Sequence, residues 1–184
     1  MRAIPSGSQT VGPFFRIGLE HLCGGSDPEP SGAVMVKVRG KVFDGNGAPV
    51  PDAVLEIWHA DSSGRYDSAR PDDRRRSPCF TRAATDEDGE FGFSIRRPGS
   101  VPCEMEVRQA PHLSVLVFAR GLLRHLMTRM YFPDETANET DTALQLVPEE
   151  RRSTLIARGS GSEPGSLEWN VVLQGEEETV FFAW

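Results

Sequence analysis

From Val34 the chain alternates with a period of two, placing Val34, Val36, Val38 and Val42 on one face and Lys37, Arg39 and Lys41 on the other. Successive side chains of a strand point to opposite faces, so the pattern predicts a half-buried β-strand. It runs into Asp44-Gly45-Asn46-Gly47, a tight-turn sequence whose glycines and asparagine tolerate positive φ. Val54 to His59 predicts a second strand, and Phe91, Phe93 and Ile95 share a face in a third, closed by Pro98-Gly99. His112 to Phe118 is almost continuously apolar, as expected of a strand buried on both faces. Leu126 to Phe132 predicts another strand, and Trp169 to Leu173 with Thr179 to Trp184 a closing pair. Only one helix is predicted: Pro148 at its first position, Glu149 and Glu150 in its first turn, Arg158 and Gly159 at its end. Gly159-Ser160-Gly161-Ser162 reads as a loop tip. Strands at this spacing with turns between them predict one all-β domain, a sandwich or barrel of mainly antiparallel strands, preceded by an irregular N-terminal arm over residues 1–33.

Composition narrows the function. The 184 residues are 38% hydrophobic and 26% charged, as in a globular protein, and the net charge of −7 argues against a general nucleic-acid binder. No apolar run approaches the roughly 18 residues of a membrane helix. Met1 to Phe15 carries no continuous apolar stretch, so no secretory signal is expected. The three cysteines, Cys23, Cys79 and Cys103, are odd in number and lack CxxC spacing; neither a disulfide framework nor a structural zinc site is expected, and a reducing cytoplasm is. There are only two tyrosines and four histidines.

Most local motifs read as structure. Asp86 to Gly89 resembles the start of a calcium loop, but without the remaining ligands it reads as a hairpin turn. Arg70 to Arg76 is a solvated loop of mixed sign or a grip for an anionic partner surface. Asn138-Glu139-Thr140 is a formal glycosylation sequon in a chain with no secretion signal. No nucleotide-binding or serine-hydrolase motif is present. His21 and His59 read as solvated, and His125 opens a strand with no ligand partner. His112 enters the most hydrophobic strand behind Ala110-Pro111, where a histidine is either a core residue bonded to backbone or a functional group; residue chemistry leaves both open.

Several segments together resemble one family, the intradiol ring-cleavage dioxygenases. They are Ser8-Gln9-Thr10-Val11-Gly12-Pro13-Phe14-Phe15, Gly40 to Gly47, Glu56-Ile57-Trp58-His59-Ala60-Asp61 with Gly64-Arg65-Tyr66, and Ala110-Pro111-His112. Phe118-Ala119-Arg120-Gly121, Thr128-Arg129-Met130-Tyr131-Phe132 and Glu178-Thr179-Val180-Phe181-Phe182 complete the set, in family order. The resemblance implies a β-sandwich and oxidation of a catechol-type ring by O₂ at a non-haem ferric ion held by two tyrosines and two histidines. Phenolate is a hard anionic donor suited to Fe(III). Position by position, Tyr66 and His112 are present, but Val101 stands where the second tyrosine belongs and Ser114 where the second histidine belongs. Tyr131 matches a strand position that is not a ligand in the family.

The A-P-H-x-S strand, F-A-R-G and the E-T-V-F-F ending look like the iron-free α subunit of the family's two-chain members. The resemblance therefore implies no catalytic residue in this chain alone, Fe(III) bound by a homologous β subunit, and Thr10, Gly12, Pro13 and Arg120 lining that partner's substrate pocket. The implied reaction opens protocatechuate with O₂ to 3-carboxy-cis,cis-muconate in aromatic catabolism by the β-ketoadipate pathway, in a higher oligomer of α–β pairs. The arm at residues 1–33 would reach toward the partner and residues 34–184 would form the sandwich. Two other classes stand beside this: a non-enzymatic sandwich binding module, and a stand-alone dioxygenase with a degenerate site around Tyr66 and His112.

Overall fold

The computed structural model describes residues 7–23, 34–66, 79–103, 108–161 and 165–183. The Arg70 to Arg76 run lies outside them, as do Ser162 and Trp184. In chain order the elements are α1 (Pro13–Leu19), β1 (Met35–Phe43), β2 (Val54–His59), β3 (Phe80–Ala84), β4 (Glu90–Arg96), β5 (Val101–Pro102), β6 (Arg108–Gln109), β7 (His112–Phe118) and β8 (Leu126–Tyr131). They are followed by α2 (Thr142–Gln145), α3 (Glu149–Arg152), β9 (Arg158–Gly159), β10 (Ser166–Glu168) and β11 (Val171–Val172).

Two sheets face each other. In one, β1 pairs antiparallel with β4 along its length, while its other edge is shared by β10 and β11, both parallel to it. The other sheet has the order β3-β2-β7-β8, antiparallel throughout. The alternating positions of the sequence meet between them: Val36, Val38 and Val42 of β1 and Phe91, Phe93 and Ile95 of β4 pack with Leu55, Ile57, Leu113, Val115 and Val117 in one core. Val34 precedes the strand and is exposed.

Gly40 shows why β1 can serve two neighbours on one edge. Between β10 and β11 the chain bulges toward it, Trp169 donating its backbone N–H to the Arg39 carbonyl at 2.9 Å and Lys41 donating to Asn170 Oδ1 at 2.9 Å. A Cβ at Gly40 would stand 1.7 Å from the Trp169 carbonyl oxygen, so the position admits only glycine.

Several elements differ from expectation. The helix expected to run from Pro148 to Gly159 stops at Arg152, with Pro148 as its N-cap rather than its first residue. Beyond a 3₁₀ turn at Ser153–Leu155 the chain is drawn onto β8: Ile156 bridges Tyr131, and Ala157 donates to the Tyr131 carbonyl at 3.0 Å. Arg158 and Gly159, expected at the end of that helix, then form β9, which also takes Gly159 out of the expected loop tip. Two further short helices, α1 inside the arm and α2, stand where no helix was expected. Asp86 to Gly89 links β3 to β4 across the two sheets instead of closing a hairpin, with Asp86 Oδ1 accepting from the Asp88 and Glu90 amides. Of the expected closing pair only Val171–Val172 is a strand; Thr179 binds Val172 through two hydrogen bonds of 2.9 Å without extending a ladder.

Candidate functional site

The outer face of the second sheet, turned away from the core, carries His112. Its Nδ1–H donates to the Ala110 carbonyl at 2.7 Å, which fixes the tautomer and leaves Nε2 as an acceptor. The Tyr66 hydroxyl lies 3.4 Å from that Nε2, so two of the residues singled out in the sequence meet. Tyr66 is brought there by a turn in which Asp61 Oδ1 accepts from the Ser63 and Arg65 amides at 2.8 and 2.9 Å and from the Ser63 hydroxyl at 2.6 Å. That hydroxyl and the Arg65 amide hold the Asp61 carboxyl below the usual range. Gly64 sits at φ +83 in the same turn, and a Cβ there would lie 1.9 Å from the Ser100 carbonyl. The Tyr66 turn and the segment leading to Val101 are therefore packed backbone to backbone, and Gly99 donates its N–H to the Asp61 carbonyl at 2.9 Å.

Behind His112 lies a buried polar network that sequence reasoning did not single out. Arg129 of β8, 8% exposed, donates through Nη1 to Gln109 Oε1 at 3.2 Å and to the Tyr131 hydroxyl at 3.3 Å. Its Nε is buried without a partner among the described residues. Tyr131 in turn donates to Asp141 Oδ1 at 3.0 Å. Asp141, 0% exposed, also accepts from the Ala143 and Leu144 amides, capping α2, and from the Ala110 amide at 2.8 Å. Burial lowers the His112 pKa to about 4, with the positive charge of Arg129 acting in the same direction. Burial raises the Tyr131 hydroxyl above its ordinary value.

His59 corrects the expectation of a solvated side chain. It is 1% exposed, facing inward opposite Leu113, with Nδ1 bonded to the Ala60 carbonyl at 2.8 Å, and burial lowers its pKa. His21 and His125 are exposed; the His125 ring rests 5.5 Å from that of Phe118. None of the three cysteines is in a disulfide among the described residues.

The arm forms a second locus. The Thr10 hydroxyl accepts a 2.8 Å hydrogen bond from the Gly121 amide, and the Phe15 ring lies 5.4 Å from Phe118. Thr10 is thereby held beside the loop that presents Arg120. The guanidinium of Arg120 is half exposed and pairs with Asp52 Oδ2 at 3.4 Å, and Asp52 itself takes a left-handed backbone, φ 66. Gly12 caps α1, Pro13 opens it, and both are exposed. A Cβ on Gly12 would meet nothing within 4 Å, so any close approach that this glycine permits is not to its own chain. Between arm and loop is a cavity of about 210 Å³ lined by Gln9, Val11, Phe118, Leu122, Leu123 and His125 among others. A second cavity, of about 230 Å³, opens beside Trp169 and Thr154; neither is lined by Tyr66 or His112.

Residues 20–175 match the family model described as dioxygenase. The chain is 39% identical to the protocatechuate 3,4-dioxygenase alpha chain of Burkholderia cepacia, over 95% of each chain. The chain belongs to the intradiol dioxygenase family. It is 36% identical to the corresponding alpha chain of Pseudomonas putida, over 95% of this chain and 94% of that one, and 32% identical to the beta chain of Burkholderia cepacia, over 82% and 68%. Among solved structures, the dioxygenase domain of a carbohydrate-binding fusion protein from Streptomyces sp. SirexAA-E superposes with a TM-score of 0.62 at 27% identity, covering 80% of this chain and 84% of that one.

Within the intradiol dioxygenase pattern, the donor set of this chain does not fit a ferric ion. Val101 offers only methyl groups, Ser114 a neutral hydroxyl, and the surviving pair, Tyr66 and His112, bond to each other. No group of three or more His, Cys, Asp or Glu side chains converges among the described residues. No helix among those residues is long and apolar enough to cross a membrane.

Proposed function

We propose that this chain is the iron-free α subunit of a protocatechuate 3,4-dioxygenase. It pairs with a homologous β subunit that holds the ferric ion, in an assembly of several such pairs in the cytoplasm. The pair opens protocatechuate with O₂ between its two hydroxylated carbons to 3-carboxy-cis,cis-muconate, the bound metal activating the catechol for oxygen. In this reading the arm over residues 1–33 reaches toward the partner, residues 34–184 form the sandwich, and Thr10, Gly12, Pro13 and Arg120 line the partner's pocket.

The observation that carries the proposal is the Thr10–Gly121 hydrogen bond of 2.8 Å, which sets the T-x-G-P arm beside the Arg120 loop. Three neighbouring residues of the arm are thus set beside a loop 111 residues further along the chain. Gly12 offers bare backbone for close approach, and Pro13 fixes the entry to α1. Arg120 supplies a positive charge and a planar fork that matches a carboxylate. One donor pairs with Asp52, and the half-exposed guanidinium leaves the rest of that fork to receive the carboxylate of the ring in this reading. The chain's contribution is to bind and orient substrate, so that bound catechols reach the reacting geometry more often.

Co-expression tests this directly. With an affinity tag on this chain only, an intradiol β subunit co-elutes, and the eluate consumes O₂ and protocatechuate together. A monomeric chain that leaves the β subunit in the flow-through, with no ring cleavage in the mixture, sinks the proposal.

A further inference from the structure

The four positions at which the family carries iron ligands are arranged around one side chain, Arg129. On the β7–β8 ladder Ser114 stands directly opposite Arg129, and His112 directly opposite Tyr131, whose hydroxyl accepts from Arg129. On the short β5–β6 ladder Val101 stands directly opposite Gln109, whose side-chain oxygen also accepts from Arg129. Tyr66 closes the ring through its contact with His112. Residues opposed in this way begin only about 5 Å apart at Cβ, so Ser114 lies beside Arg129, and His112 and Val101 beside the two residues that accept from its guanidinium.

We infer that Arg129 takes the metal's place in this chain: its guanidinium is the buried positive charge around which the former ligand positions are organised, and it bars a cation from them. The inference rests on the reading of this chain as the iron-free subunit. A guanidinium keeps its charge at any physiological pH, so it cannot step aside by losing a proton as a lysine or histidine would. Its burial requires compensation, which the Tyr131 hydroxyl provides by passing the interaction on to the Asp141 carboxylate. Loss of iron in this chain is therefore two changes: removal of two donors, and insertion of a fixed cation with its own counter-charge. Restoring the donors alone leaves the second change in place.

The test uses full-length chains co-expressed with a β subunit, with iron measured per α chain after subtracting that of the unaltered pair. The double variant Val101→Tyr/Ser114→His keeps Arg129 and is expected to take up less than about a tenth of an equivalent of iron. Adding Arg129→Gln is expected to raise uptake at least about tenfold, with a visible tyrosinate-to-iron absorption band. Adding Arg129→Lys instead, which keeps a cation, leaves the chain colourless. Full loading of the double variant overturns the inference, and so does a Gln-containing triple variant that pairs with β and stays colourless. If the triple variant does not fold, the double variant decides alone. Iron in the unaltered chain by itself, or failure to pair with β, counts against the proposed function rather than against the role of Arg129.

Discussion

Asp141→Ala removes the acceptor on which the buried network closes. Its two oxygens take four hydrogen bonds, from the Ala110, Ala143 and Leu144 amides and the Tyr131 hydroxyl, at 2.8 to 3.0 Å. Losing the cap of α2 costs about 1 kcal/mol. The buried Ala110 amide then has no partner and the Tyr131 hydroxyl, still accepting from Arg129, has no acceptor for its proton, at about 1–3 kcal/mol each, and Arg129 loses its distant counter-charge. The expected loss is about 5 kcal/mol. Asp141→Asn keeps the shape and one carbonyl acceptor but turns an NH₂ toward the Ala110 N–H, and is expected to cost about 2 kcal/mol. Urea unfolding read by tryptophan fluorescence gives both values, provided the slope with denaturant is unchanged. A double-mutant cycle with Tyr131→Phe isolates the shared bond and should show a coupling of about 1 kcal/mol. An Asp141→Ala chain within about 1 kcal/mol of the parent, with no coupling to Tyr131, would refute the assignment of this carboxylate as the network's anchor.

Three further outcomes follow from the same geometry. His112 and His59 are both held below the ordinary histidine pKa, so as pH falls the unfolded chain binds protons first; stability is full above about pH 6.5 and declines toward pH 4, His112 alone accounting for about 2 kcal/mol between pH 7 and pH 5, and His112→Asn should flatten that slope in unfolding titrations. Arg120→Ala in the assembled pair should raise KM for protocatechuate about tenfold while leaving the kinetics on catechol, which has no carboxylate, within about twofold in steady-state O₂ uptake. Gly40→Ala forces a methyl into the Trp169 carbonyl and should leave little soluble, cooperatively melting protein, measured as yield and thermal transition.

The core strands were legible because their alternation is local: β1 and β4 bury the residues that the period of two selects. The same parity, followed one step further, puts His59 inside with Leu55 and Ile57 and turns Trp58 outward, 42% exposed. Reading side-chain polarity in place of parity misplaced His59. β3 escaped notice because its inward positions are the small Thr81 and Ala83, which give no hydrophobic signal. At the site, Tyr66, His112, Val101 and Ser114 were found through motif order, and Thr10 and Arg120 by the same route. Arg129 and Tyr131 stood in the same motif set without a role, and Asp141 outside it, because what joins them is pairing between β7 and β8 and a hydrogen bond ten residues along the chain, neither of which leaves a period or a spacing to read. Asp52 was invisible for the same reason: its pairing with Arg120 depends on a left-handed turn 68 residues upstream of it.

In the proposed function this chain completes the substrate pocket of an iron site that it does not itself hold. Iron content and O₂-dependent ring cleavage, measured on the chain purified alone and on the chain purified with a β subunit, test it most directly. The expected result is a colourless chain, without iron or activity when alone, and an iron-bearing pair that opens protocatechuate. Stoichiometric iron together with ring cleavage in the lone chain would contradict it.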